Sequence, residues 1–184
     1  MNNQYVYHFK RKNMWGDKLI PLNTLKSMNP SLYEEHVKKY KGREKLLLKE
    51  ISLLNCLWND VIHLSPINPQ IVLNFFKDHN LVSENRLNAS FEVYKIPVKK
   101  LKEERTICFQ SFNFSPKNFD PSKNKFWKFE HQKYQELNDV SDEQKKVWKN
   151  DHQNGRELLW YSHTMHILTK DSIEIADCEI FSIS

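Results

Sequence analysis

Residues 5–9, YVYHF, place aromatic side chains at every second position, and this period of two predicts an opening strand. The chain then turns around Gly16 and Pro21. Pro30 precedes SLYEEHVKKY, where Ser31 and Glu34 fit a capping box, so the spacing predicts a helix beginning at Ser31. Tyr33, Val37 and Tyr40 give that helix one apolar stripe, and Gly42 ends it. EKLLLKEISLL, residues 44–54, carries a heavier apolar load and reads as helix passing into strand. VIHLS, residues 61–65, reads as a short strand bracketed by WND and Pro66. Its alternation sets His63 and Ser65 on one face and Ile62 and Leu64 on the other.

Asn68 as N-cap and Pro69 at the first helical position then predict a helix over QIVLNFFKDHN, burying Ile71, Val72, Phe75 and Phe76. Strands follow at 91–97 (FEVYKIP) and 105–111 (RTICFQS), joined by a charged link. Residues 112–135 are rich in Phe, Asn and Lys and read as a long ordered loop or insertion, reaching to about 140. Ser141 and Gln144 form a second capping-box candidate before EQKKVWKN. The segments 158–168 (LLWYSHTMHIL) and 172–183 (SIEIADCEIFSI) both look like strands. Helices concentrate in the first half and strands in the second. That order predicts an α+β fold, a mixed and mainly antiparallel split sheet with helices packed on it, in a single domain over 1–184.

Composition narrows the class. Hydrophobic residues make up 39% of the chain, enough for a real core, and no run approaches the length of a membrane span. MNNQYVYHFKRK lacks the apolar stretch of a secretory signal, which predicts an intracellular, cytoplasmic protein. Cys56, Cys108 and Cys178 form no CxxC pair and read as reduced thiols. The only glycines, Gly16, Gly42 and Gly155, are isolated, which excludes a GxGxxG loop and a P-loop. Residues 1–49 hold 11 Lys/Arg against 4 Asp/Glu, a net of +7, while the remainder nets −2. The basic first quarter suits phosphates, nucleic acid or acidic protein surfaces.

The candidate chemistry rests on histidines in predicted strands: His8, His63, and the pair His163 and His166. Three neutral imidazoles can bind zinc, but no H-x-H motif occurs, and i, i+3 spacing would put His163 and His166 on opposite strand faces. No metal site is therefore assigned. A second reading binds nucleic acid on the basic face with Tyr5, Tyr7, Phe9 and Trp15 as stacking platforms.

A third reading comes from resemblance. YVYHF followed by LIPL resembles the first motif of the ADP-ribosyltransferase-like superfamily, and VIHLSP with the NPQIVLNFF helix resembles its second. MHILTKDSIEIADCEIFSI is similar to the third segment of the DarT-type, DNA-modifying branch. LNCLWND and HILxK also resemble segments of a small bacterial family. The resemblance covers these short segments and their order, and leaves out residues 23–54 and 112–157. It implies an ADP-ribosyltransferase-like fold with NAD, or a related nucleotide, as cofactor and a nucleic acid or protein acceptor. By the same resemblance His8 contacts the adenosine ribose and Ser65 faces the nicotinamide ribose. Asn59 joins them as a nucleotide-binding residue, and Arg43 meets phosphate. The position of the family's catalytic glutamate is occupied by His166, which leaves His166 and His63 as the candidate catalytic bases. Cleaving the glycosidic bond of NAD develops positive charge on the ribose, which a carboxylate stabilises and an imidazolium opposes. The alternative is a non-catalytic nucleotide- or nucleic-acid-binding module.

Overall fold

The alternating YVYHF segment forms strand β1 (Tyr5–Phe9) in the computed structural model of the chain, which describes residues 4–42, 44–82, 90–111, 124–156, 158–161 and 163–184. β1 pairs antiparallel with β6 (Phe91–Pro97), which pairs on its other edge with β11 (Glu179–Ile183). A second antiparallel sheet has the order β5-β9-β7-β8, built from β5 (Ile62–Leu64), β9 (His166–Thr169), β7 (Thr106–Ser111) and β8 (Asn124–Lys128). Two small ribbons complete the strands: β2 (Lys18–Leu19) with β10 (Ile173–Glu174), and β3 (Glu50–Ile51) with β4 (Cys56–Leu57). All pairings between these strands are antiparallel. The fold is α+β, with antiparallel rather than mixed sheets.

One bridge joins the two main sheets. Tyr7 N–H donates to the Ser65 carbonyl (2.8 Å) and Ser65 N–H to the Tyr7 carbonyl (2.9 Å). Beyond it, toward Phe9, β1 makes no further ladder with β5 among the described residues. The sheets therefore split at Tyr7 and Ser65, and the gap opens between His8 and His63.

Burial follows strand alternation. Val6, Leu64, Ile96 and Ile167 form a core beneath the split. Tyr7, Val93 and Ile183 pack against Leu73 on the other face of the first sheet. Leu73 lies on helix α3 (Pro69–Asp78), where Asn68 accepts the Gln70 N–H (2.9 Å) as N-cap, as Asn-Pro predicts. Helix α4 (Asp142–Gln153) brings Trp148 onto Phe76 of α3. Ser141 caps it by accepting the Gln144 N–H (3.2 Å), but the Gln144 side chain returns no hydrogen bond, so only half of the predicted box forms. No described helix is long and apolar enough to cross a membrane.

Several predicted elements differ. Helix α1 (Leu22–Met28) precedes α2 (Pro30–Val37), which starts at Pro30 with Asn29 as N-cap rather than at Ser31. Asn29 accepts the Leu32 N–H (3.1 Å), and Pro30 at N1 needs no partner for a missing N–H. Residues 44–48 form a short 3-10 turn instead of a longer helix. Within the segment read as a loop, Asn124–Lys128 forms edge strand β8; its lysines reach solvent from an edge and so hide the strand in the sequence. Residues 112–123 lie outside the described residues. Of LLWYSHTMHIL, only His166 onward is strand, because Leu158, Trp160 and Tyr161 pack irregularly against the α3–α4 core. His163 thus sits in a turn and not in a strand.

Candidate functional site

The split between β1 and β5 opens into a cavity of about 300 Å³, within the range that holds small ligands. His8, Asn59, His63, Ser65 and His166 all line it. The helical segment 22–40 roofs it with Leu22, Leu25, Leu32 and Tyr40, all four part of one apolar cluster with the Tyr33 and Val37 stripe. His163 is not part of the lining. Arg43 lies outside the described residues.

β5 and β9 bring the two floor histidines together. Their register sets His63 opposite Leu168 and Leu64 opposite Ile167, so Ser65 comes level with His166. The His63 and His166 rings are 6.3 Å apart, centroid to centroid, in an edge-on arrangement. His63 Nε2 bonds the Trp58 carbonyl (3.1 Å), and His166 Nε2 bonds the Tyr161 carbonyl (2.8 Å). A carbonyl only accepts, so each Nε2 carries the proton and each Nδ1 keeps its lone pair. Trp58 also packs against His63 with the rings tilted and 4.5 Å apart, and Phe109 lies 6.0 Å from His166. Burial lowers the pKa of His63 to about 3 and of His166 to about 4, with the His166 ring adding to the shift at His63. Both imidazoles are neutral at pH 7.

His8 approaches from β1, on the strand face of Val6. Burial first, then the charges of Arg11 and Lys39, lower its pKa to about 3. Its buried Nδ1 has no hydrogen-bond partner. Asn59 sits in the WND turn, 5% exposed. It donates to Asn23 Oδ1 (2.6 Å), and Asn23 donates to Asp60 Oδ1 (2.6 Å), which ties the turn to α1. The Asn59 Oδ1 is buried and unpartnered. The wall therefore carries unpartnered buried polar atoms at Asn59 Oδ1 and His8 Nδ1, beside the Nδ1 lone pairs of His63 and His166. Buried acceptors without donors are destabilising, and a ligand rich in O–H and N–H groups relieves that.

Ser65 behaves differently from the resemblance. Its hydroxyl donates to the Ile67 carbonyl (3.0 Å) and accepts the Ile67 N–H (3.0 Å). The side chain is 3% exposed and locks the turn into Pro66. It shapes the cavity more than it offers a donor.

The lining is cationic. Arg11, Lys18 and Lys39 reach it, and among the described lining residues there is no Asp or Glu. Lys18 is paired with Glu174 at 2.5 Å. Arg11 belongs to the HFKRK run that leaves β1, and the sequence does not distinguish it from its basic neighbours there. Of the aromatic platforms read for nucleic acid, Tyr7 is buried and Phe9 packs on Phe91 and Trp160. Both still touch the cavity lining, but Trp15, 44% exposed, is the most open of the three. The cysteines are free thiols outside the cavity, with burial pushing Cys108 up to about 11 and away from thiolate chemistry. No group of three metal-ligating side chains occurs among the described residues. Comparison with family models, with curated proteins and with solved structures found no match to this chain.

Proposed function

We propose that this chain is an ADP-ribosyltransferase-like protein that binds NAD or a related nucleotide in the cavity between β1 and β5. One observation carries the reading. His8, Asn59, His63 and His166 converge on one cavity, with His8 Nδ1 and Asn59 Oδ1 unpartnered and neutral lone pairs on His63 and His166, beside cations and without a described carboxylate in the lining. A nucleotide matches both halves of that surface: ribose hydroxyls and amide N–H groups supply donors, and phosphates supply negative charge. The division of the strands into two sheets at Tyr7 and Ser65 supports the superfamily resemblance.

Binding without rapid turnover is favoured. At pH 7 the neutral His166 offers a lone pair where the family pattern has a carboxylate. It can accept a ribose O–H or a proton, but it brings no negative charge to an oxocarbenium-like ribose. Transfer to a nucleic acid or protein acceptor would have to draw on His166 and His63 as bases. The purified chain is expected to melt at higher temperature with NAD or ADP, while nicotinamide release stays at the uncatalysed rate. Rapid release that disappears in His166→Ala would replace the binding reading with transfer. No stabilisation by any nucleotide would overturn both.

A further inference from the structure

Arg11 leaves β1 at the α2 side of the cavity with its side chain half-buried. Its Nη1 donates to His36 Nδ1 at 2.7 Å, and His36 Nε2 bonds the Asn13 carbonyl at 3.0 Å. The two bonds fit only one protonation state. Nδ1 accepts from a guanidinium, and Nε2 donates to a carbonyl, so His36 is the neutral Nε2–H tautomer.

The consequence is a cation without a described counter-charge. Arginine stays protonated in proteins, and no carboxylate bonds or pairs with Arg11 among the described residues. Glu35, next to His36 in sequence, is exposed, and both of its carboxylate oxygens accept from Asn13 Nδ2, at 2.8 and 3.0 Å. Asn13 thereby engages the Glu35 carboxylate through its side chain and offers its own carbonyl to His36. The groups around the guanidinium are the imidazoles of His8 and His36, which both feel its charge, the Tyr40 phenol, and Lys39 on the same wall. A partly desolvated charge with neutral and cationic neighbours is costly unless an anion completes it. Only one of its five N–H groups is used by His36, and a planar fork suits two oxygens of one phosphate.

We infer that Arg11 is the anion-binding residue of the cavity, taking the phosphate or diphosphate of the nucleotide, and that His36 is the positioning residue that sets its orientation. The inference rests on the nucleotide reading, since it places the nucleoside over His63 and His166 and the phosphate at the α2 side. Ligands then divide by their charged end. ADP and inorganic pyrophosphate engage Arg11; adenosine does not.

The test is calorimetric titration of the full chain with ADP, adenosine and pyrophosphate. Arg11→Met is expected to weaken ADP by about 30-fold, the scale of a hydrogen-bonded charge, and to leave adenosine within about twofold. His36→Leu is expected to weaken ADP by about fivefold, and His36→Gln, whose amide both accepts and donates, to restore it. Melting temperatures of all variants separate misfolding from lost contact, and Arg11→Lys, which keeps the charge but not the fork, supplies an intermediate case. Equal losses for ADP and adenosine, or none, would overturn the anion role and leave the nucleotide reading intact. Failure of ADP and adenosine alike to bind the unaltered chain would defeat the nucleotide reading. Pyrophosphate binding that Arg11→Met abolishes would then still uphold the anion role, and its absence would overturn that too.

Discussion

Moving from pH 7 to pH 5 is expected to destabilise this fold steeply. His8 and His63 have pKa values lowered to about 3, and His166 to about 4, in each case chiefly by burial. In the unfolded chain the same rings titrate near the ordinary value of about 6.5. Above that value each ring is neutral in both states and contributes no pH dependence. Below it the unfolded chain takes up protons that the folded chain refuses, so stability falls as pH falls. The fall continues to the folded pKa of each ring and then levels off. Each histidine contributes a slope of up to about 1.4 kcal/mol per pH unit, and three acting together approach about 4 kcal/mol per unit. That is a large share of the roughly 5–15 kcal/mol stability of a domain. Urea unfolding at pH 8, 7, 6 and 5 measures it directly. His63→Gln should remove about one proton from the slope. Equal stability at pH 7 and pH 5 would show that the three rings accept protons in the folded state.

Trp148→Ala is expected to lose about 3–5 kcal/mol, the usual range for removing a buried tryptophan. Trp148 is 1% exposed and connects three elements. It meets Phe76 edge-on at 4.8 Å and Phe75 at 5.6 Å, both on α3. Its Nε1–H donates to the Leu159 carbonyl at 2.9 Å. The residues after Leu159 lead to Tyr161, whose carbonyl fixes the tautomer of His166. Loss of this anchor therefore loosens the cavity floor as well as the core. Trp148→Phe keeps a packed aromatic ring but removes the donor and part of the volume, so it is expected to cost about 1–3 kcal/mol, largely by orphaning the carbonyl. Equilibrium urea unfolding of both variants gives the two values. A loss below about 1 kcal/mol in Trp148→Ala would contradict the assignment of Trp148 to the centre of this core.

Much of this architecture is legible in the sequence because the signals are local. Asn68 and Pro69 specify the start of α3 through groups within two residues of each other. The alternation of YVYHF specifies which side chains of β1 face the split. His63 and Ser65 read as one face of a strand, and both reach the cavity. What stays hidden depends on partners far along the chain. β8 is a strand only because β7 pairs with it, and its lysines mask an edge position. Residues 158–165 have strand-like composition but follow Phe76 and Trp148 into irregular packing. Ser65 has a hydroxyl suited to a ligand, yet the Ile67 backbone two residues on already claims it. Arg11 could not be singled out among eleven basic residues in 1–49, because what distinguishes it is a neutral histidine, 25 positions away, where a carboxylate would be usual.

The central claim is that the cavity floor made by His63 and His166 receives a nucleotide. Residue-resolved NMR of the imidazole resonances during titration with NAD at pH 7 tests it most directly. His63 and His166 are expected to shift together and saturate at one affinity, while keeping the neutral Nε2–H tautomer, and the exposed His152 on α4 is expected to stay still. Histidine spectra that do not change at saturating NAD, ADP or any other nucleotide would contradict it.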